Sequence, residues 1–278
     1  MLFLSCMQGI STHYQQAITI GIEASFILMD FYKGHVDSIE KSDGTPVTEA
    51  DKASSNYIVS KLNELGYPVI CEEISNEPYS TRQQWKKNWC VDPLDGTKEY
   101  LKKNGEFAIN IAFIEDHKAI FGIIVSPVRR EVLFGGEKEG VYIANFDENG
   151  FVTSTHKVES TKIKNNPIVL LASRSYDTPA TLKFVTDLEM QVGEVSYKQK
   201  GSALKFFEFA RGLADIYPRF APTMEWDIAA GQAILEALGG EVLHLETGKP
   251  LTYNKEDLRN PHFIAKSAAL KLETSYNL

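Results

Sequence analysis

Cysteine is scarce: Cys6, Cys71 and Cys90 are the only three in 278 residues. The number is odd and no CxxC spacing occurs, which excludes a disulfide framework and fits reduced intracellular thiols. Long apolar runs are missing as well, none approaching the roughly 18 residues a membrane span requires. Met1-Leu2-Phe3-Leu4-Ser5-Cys6-Met7 is apolar, but it is short and lacks a basic flank, so no signal peptide is expected. Positive charge is in deficit, with 29 Lys and Arg against 37 Asp and Glu and a formal net charge of −8. Binding to a nucleic acid polymer rests on clustered cations and is not expected. A small anionic substrate stays open if metal ions supply the local positive charge. No repeat or low-complexity tract interrupts the chain. The expected setting is the cytoplasm, with loose attachment to the inner face of the cell membrane left open and the oligomeric state unspecified.

Hydrophobic content of 43% with 24% charged residues is ordinary for a globular chain, and the length suffices for one large domain or two tightly packed ones. Residues 12–33 carry apolar side chains at helical spacing (Ile18, Ile22, Phe26, Met29). Thr48 reads as an N-cap with Asp51 at the third helical position, a capping box. Ile58, Leu62 and Leu65 then mark the buried face of a helix that Gly66 ends. Strands follow at 68–71, 89–91, 107–114 and 119–126, with shorter ones between 131 and 144. The polar stretch from about Asp147 to Pro167 is read as the main boundary. After it the pattern alternates: strand 168–172, helix 178–188, strand 194–197, helix 202–211, strand 215–217 and helix 225–238, then final strands near 241–244 and 262–265. The expectation is an α+β unit over 1–155 followed by an α/β unit over 156–278, built as layered helices and sheets.

The chemistry concentrates in Asp92-Pro93-Leu94-Asp95-Gly96-Thr97, where two carboxylates stand three residues apart as an apolar strand becomes a turn. Glu72-Glu73 ends another short apolar run, and Trp226-Asp227 opens a helix far downstream. Taken singly, each is ordinary: an isolated Asp-x-x-Asp-Gly is a turn with a capping acid, and a helix-start Asp faces the dipole. Together they put acids from three segments at the edges of regular elements, as a site for hard divalent cations requires. Mg²⁺ takes oxygen ligands at about 2.0–2.1 Å from a few carboxylates, water and substrate phosphate. Two ions about 3.5–4 Å apart can clamp both oxygens of an in-line phosphoryl displacement. Asp92, at a rigid strand end, is the natural bridge, with Asp95 one turn later and the Leu94 carbonyl between them. Gly96 and Thr97 follow where a helix starts, whose free N–H groups can cradle a phosphate oxygen.

Four strings carry a resemblance: Pro46-Val47-Thr48-Glu49-Ala50-Asp51, the Glu72-Glu73 pair, Trp89-Cys90-Val91-Asp92-Pro93-Leu94-Asp95-Gly96-Thr97, and Trp226-Asp227-Ile228-Ala229-Ala230-Gly231. They resemble the lithium-sensitive, Mg²⁺-dependent phosphatase superfamily typified by inositol monophosphatase, over essentially the whole chain. The resemblance implies an αβαβα sandwich. It also implies that Glu72, Asp92 and the Leu94 carbonyl hold a first Mg²⁺, and that Asp92, Asp95 and Asp227 hold a second. A third, weaker ion near Asp51 and Glu72 is left open. Asp51 with the Thr97 hydroxyl would position the water, Glu72 close by, and water would attack phosphorus without a phospho-enzyme intermediate.

Within the superfamily the chain is most similar to the bacterial CysQ-type 3′(2′),5′-bisphosphate nucleotidases. The strings are Asp95-Gly96-Thr97-Lys98-Glu99-Tyr100, Asn104-Gly105-Glu106-Phe107, Gly201-Ser202-Ala203-Leu204-Lys205-Phe206, and Tyr217 to Asp227. This implies hydrolysis of adenosine 3′,5′-bisphosphate to AMP and phosphate, in sulfate assimilation and nucleotide recycling. An inositol or sugar monophosphatase is the alternative, and a catalytically silent metal- or nucleotide-binding module a weaker one. Inositol monophosphatases carry an acid shortly before Trp-Asp. Here that position falls on Arg219 counting from Asp215, or on Phe220 counting back from Trp226, and neither is an acid. An arginine fork suits a second phosphate, and Ser202 and Lys205 would add nucleotide contacts. Glu72, Leu94, Asp95, Gly96, Thr97 and Asp227 would complete the substrate site. Cys71 and Cys90 flank the ligands. They read as small buried hydrophobes, with oxidation at Cys90 disturbing Asp92 as the sharper reading.

Overall fold

The computed structural model describes residues 9–34, 38–40, 46–160, 163–172 and 179–272, so Cys6 and the apolar N-terminal run lie outside the described residues. Helix α1 (Thr12–Tyr32) is followed by a two-stranded ribbon of β1 (Ser38–Glu40) and β2 (Pro46–Thr48), then by α2 (Glu49–Asn63). The capping box at the start of α2 is formed: the Thr48 side chain accepts from Asp51 N, and Asp51 answers to the Thr48 backbone N–H. Next come β3 (Val69–Cys71), a single helical turn α3 (Tyr79–Arg82), β4 (Lys87–Asp95), the short α4 (Thr97–Leu101), and β5 (Ala108–Glu115) with β6 (Lys118–Ser126). The strands β7 (Glu131–Gly136), β8 (Gly140–Phe146) and β9 (Val152–Val158) finish a seven-stranded sheet in sequence order, β3 parallel to β4 and the rest antiparallel.

A second sheet of five strands has the order β11-β10-β12-β14-β13. Its elements are β10 (Ile168–Ala172), α5 (Pro179–Val192), β11 (Val195–Gln199), α6 (Lys205–Ala210), β12 (Ile216–Arg219), α7 (Glu225–Ala237), β13 (Glu241–His244) and β14 (Phe263–Lys266). The strands β11, β10 and β12 run parallel, and β14 and β13 close the sheet antiparallel.

Strand alternation sorts the side chains into three cores and so into five layers. Ile18, Ile22, Leu28 and Ile58 of α1 and α2 pack on Trp89, Val91, Ile111 and Phe113 from one face of the large sheet. Its other face, through Cys90, Ala112, Ile124 and Leu133, meets Phe206, Ile228, Ala229 and Ala233 of α6 and α7. The same two helices are covered on their far side by Tyr217, Val242, Phe263 and Ala265. The alternate residues of β12 and β14, Ile216 and Ile264, turn outward with Leu170 to bury Phe184 and Leu188 of α5. The order is α1/α2, sheet, α6/α7, sheet, α5: an αβαβα sandwich with α7 enclosed. Contact between α7 and β6 is so close that a Cβ on Gly122 would stand 2.0 Å from the Ala230 carbonyl oxygen. The polar stretch after Asp147 is not wholly loop. It holds β9, which pairs with β8 from Val141 to Phe146.

Candidate active site

Strand β4 ends in a bulge. Asp92 pairs with Asn110 and Asp95 with Ala108, so one extra residue is accommodated on β4, and such a bulge bends the strand and re-aims its side chains. The Pro93 carbonyl within it accepts from Ser54 Oγ of α2 at 2.9 Å, and Leu94 N donates to Asp92 Oδ1 at 3.0 Å. Gly96 then turns the chain at a φ of 94°, a conformation glycine adopts without cost. A Cβ there would press on the Glu106 carbonyl oxygen at 3.1 Å and on Ser202 Cβ at 3.3 Å.

Four acids converge on this bend. Oxygens of Glu72, Asp92 and Asp227 all lie within 4.8 Å of one another. Glu72 is brought there by the turn after β3, its N–H donating to the Val91 carbonyl at 3.2 Å. Asp227 is the third residue of α7, and its Oδ2 accepts from Met224 N at 2.8 Å. Asp95 stands beside them but outside that three-way group, because its Oδ2 accepts from Ala203 N at 2.5 Å and from Asn110 Nδ2 at 3.2 Å. The close group therefore takes one acid from each of the two expected ion sites together with the shared Asp92, and Glu73 is not part of it. Asp51 and Thr97 do meet: the Thr97 hydroxyl donates to Asp51 Oδ1 at 3.2 Å, with the Leu94 carbonyl 3.4 Å away. Asp51 Oδ2 is held by Thr48 N at 2.7 Å and by the Thr48 hydroxyl at 2.5 Å.

Burial and neighbouring carboxylates resist ionisation of Asp92, Asp95 and Asp227. Burial first, then the charges of Glu72, Asp95 and Asp227, raise Asp92 well above the usual carboxylate range. Asp227 is pushed up to about 8 by burial and by Asp95. Asp95 is raised by burial, with the Lys205 ammonium and its two hydrogen bonds opposing. Asp51 is also raised by burial against its bonds to Thr48 and Thr97. Carboxylates packed this closely are relieved by a hard divalent ion, and this all-oxygen donor set fits Mg²⁺ or Mn²⁺ rather than a thiophilic metal.

A cavity of about 380 Å³ opens from Asp95 and Asp227. Gly96, Ser202, Lys205 and Arg219 all line it. Lys205 is not on a solvated helix face: it is 5% exposed, its Nζ donates to the Ser202 carbonyl at 3.1 Å, and it lies 5.0 Å over the Tyr217 ring. Ser202 precedes α6 with a φ of 48°. Of the two candidates for the position before Trp226, Arg219 faces the cavity, while Phe220 packs on Phe184 and His262 at 5.5 and 6.0 Å. Cys71 and Cys90 are buried free thiols; burial lifts Cys71 to about 11 and Cys90 well above its ordinary value. Sequence reasoning passed over Asn110, although one amide within the apolar run of β5 is a visible signal. The Glu106 carboxylate, part of the Asn104–Phe107 string but given no role there, accepts from Gly201 N at 3.0 Å and Lys200 Nζ at 3.3 Å and so fixes the turn bearing Ser202.

Known proteins agree with this picture. The 3′(2′),5′-bisphosphate nucleotidase CysQ of Escherichia coli (strain K12) is 38% identical over 253 residues, 89% of this chain and 97% of that protein. The crystal structure of CysQ from Bacteroides thetaiotaomicron, described as a bacterial member of the inositol monophosphatase family, superposes with a TM-score of 0.82 at 37% identity, covering 93% of this chain and 98% of the other. The extragenic suppressor protein SuhB of Bartonella henselae shares the fold, with a TM-score of 0.73 at 21% identity over 93% and 95% of the two chains. The family model for inositol monophosphatases matches residues 10–275. With the sandwich fold and the acid cluster at the end of β4, this makes the chain a phosphatase of the inositol monophosphatase family.

Proposed function

We propose that this enzyme removes the 3′-phosphate of adenosine 3′,5′-bisphosphate, leaving AMP and phosphate, with two Mg²⁺ ions as cofactor. The observation that carries the reading is the cavity itself, with acids at one end and Lys205 and Arg219 on its walls. A phosphomonoester of an uncharged sugar needs only the acidic end with its ions. A nucleotide with a second phosphate also uses the cations, and an arginine fork matches phosphate oxygens in pairs. The 38% identity to proteins named 3′(2′),5′-bisphosphate nucleotidase points the same way.

In this reading Glu72, Asp92, Asp95, Asp227 and the Leu94 carbonyl hold the ions. When bound, the ions polarise the phosphate and offset the charge that develops on the leaving oxygen. Thr97 donates its hydroxyl hydrogen bond to Asp51 Oδ1, so its oxygen keeps lone pairs to accept a hydrogen bond from the attacking water. Asp51, raised above an ordinary carboxylate by burial, is the better base for it. Gly96 and Thr97 receive the reacting phosphate, and Ser202, Lys205 and Arg219 orient the rest of the nucleotide. Free thiols at Cys71 and Cys90 suit a reducing cytoplasm. Among the described residues no helix is long and apolar enough to cross a membrane.

Phosphate release from adenosine 3′,5′-bisphosphate and from inositol 1-phosphate, side by side with Mg²⁺, tests the proposal. A kcat/KM for the nucleotide at least tenfold higher is expected, and Arg219→Ala should erase most of that preference. A preference for inositol 1-phosphate would refute the substrate while leaving the acid cluster in place.

A further inference from the structure

Glu225 is a fully buried carboxylate to which the reaction assigns nothing. It is the first residue of α7, two before Asp227. Its oxygens accept from Asn254 N at 2.6 Å, Lys255 N at 3.0 Å and Lys255 Nζ at 2.6 Å. Asn254 is itself buried and left-handed, at a φ of 58°. Its side chain reaches across 172 residues of sequence to a third buried polar group. Asn254 Oδ1 accepts from Arg82 Nη1, and Asn254 Nδ2 donates to the Arg82 carbonyl, both at 2.7 Å. The guanidinium, 4% exposed, also donates to the carbonyls of Lys255 at 3.1 Å and Glu256 at 3.4 Å, and through Nε to that of Glu77 at 2.8 Å. Glu77 belongs to the loop that begins at Glu72. The other end of that loop is tied by Asn76, whose side-chain amide bonds both the N–H and the carbonyl of Cys71 at 2.9 Å.

These contacts form one continuous link from the Glu72 loop, through Arg82 and Asn254, to the start of the helix that carries Asp227. Glu72 and Asp227 otherwise come from different layers, and their carboxylates repel across less than 4.8 Å. Burying an arginine and a glutamate is costly, and well-packed apolar side chains of similar volume often serve stability as well or better. We propose that Arg82, Asn254 and Glu225 are positioning residues that hold the Glu72 and Asp227 carboxylates at the separation a divalent cation needs. The inference rests on the reading of Glu72, Asp92 and Asp227 as metal ligands.

The test is Mn²⁺ binding, read from the electron paramagnetic resonance signal of the free ion, beside thermal unfolding of the metal-free protein. Asn254→Gly keeps a backbone that tolerates positive φ and deletes the amide. Arg82→Met deletes the fork but keeps much of the bulk. Ile168→Ala, in the core under α5, lowers stability far from the link and serves as control. Ligand-supporting contacts are typically worth about 10–100-fold in metal affinity. A loss of that size is expected for Asn254→Gly and Arg82→Met, with Ile168→Ala binding as the parent does at an equal or larger drop in melting temperature. Should Arg82→Met fail to fold, Asn254→Gly decides. Binding by Asn254→Gly within twofold of the parent, or an equal loss in Ile168→Ala, would overturn the positioning role. A parent that binds no Mn²⁺, or an Asp92→Asn variant that binds as well as the parent, would instead overturn the ligand reading beneath it.

Discussion

Replacing Gly122 with alanine should damage both stability and turnover from a position that touches no substrate. Its new Cβ would sit 2.0 Å from the Ala230 carbonyl oxygen and 2.8 Å from the carbonyl carbon, where ordinary contact begins at 3.4 Å. Both are backbone atoms, so no side chain can swing aside, and β6 or α7 must give way by more than about 1 Å. Overpacking of this kind typically costs about 1–3 kcal/mol. At roughly 2–4 °C per kcal/mol for a chain approaching this size, the melting temperature should fall by about 2–12 °C. The helix that yields is the one that places Asp227, three residues before Ala230. A misplacement of about 1 Å in a reacting constellation can cost roughly 100-fold in rate. Thermal unfolding with saturating Mg²⁺ and kcat measured well below the transition check the two effects separately. A variant with parental melting temperature and parental kcat would refute the account of α7 as a helix clamped between two sheets. A loss of stability with kcat intact would mean that the strand moves and the helix does not.

Asp92→Asn should lower turnover by several orders of magnitude with the fold intact, and the metal-free variant should melt higher than the metal-free parent, because one of three mutually repelling carboxylates is gone; turnover near parental would defeat the ligand assignment. The metal-free parent should also lose stability as pH rises. Asp92, Asp95 and Asp227 all have folded values above their unfolded one, so the folded state binds more protons, and its advantage is lost as pH climbs through the folded values, near 8 for Asp227. The slope is at most about 1.4 kcal/mol per pH unit for each titrating proton. Urea unfolding with chelator at pH 6, 7 and 8 should show it and saturating Mg²⁺ should flatten it; equal slopes in the two series would refute it. Both thiols should resist alkylation and peroxide in the native state, since burial holds Cys71 at about 11 and Cys90 well above its ordinary value and the thiolate is the reactive form. Mass spectrometry finding Cys90 labelled before unfolding would revive the redox reading.

The site was legible wherever chemistry left a local mark. Thr48 and Asp51 stand at capping-box spacing, and the box forms. Asp92 and Asp95 mark the bulge that ends β4. Where a single residue decides the face, the sequence could not choose. Arg219 and Phe220 are neighbours on either side of a strand end, and a shift of one residue exchanges cavity for core. The strand β9 escaped because only its terminal Val152 and Val158 are buried, with Thr153, Ser154 and the residues between them too polar to show an alternating pattern. The turn α3 carries too little apolar periodicity to be seen. The link from Arg82 to Asn254 spans 172 positions, and nothing local to either residue announces the other.

Three of the aspartates around the bend are each tied to their own neighbourhood by a short loop of chain, whereas Asp95 is held from afar by Ala203 and Asn110. Asp51 takes the N–H of Thr48, Asp92 that of Leu94, and Asp227 that of Met224. One oxygen of each side chain is thereby committed to the backbone two or three residues away, and the other is turned to the site by default. The arrangement depends on side-chain length, not only on charge. A glutamate in place of Asp92 would carry the same charge, yet its extra methylene, a bond of about 1.5 Å, would overshoot the Leu94 N–H two residues on and free the carboxylate to rotate. At the capping-box positions of Asp51 and Asp227 a glutamate can still reach back to the N-cap N–H. Glu72 reaches the group from a turn and is the member built on the longer stem. At Asp92 the fold thus tells two chemically equivalent acids apart by reach, so an Asp-to-Glu exchange there moves the ligand while keeping its charge.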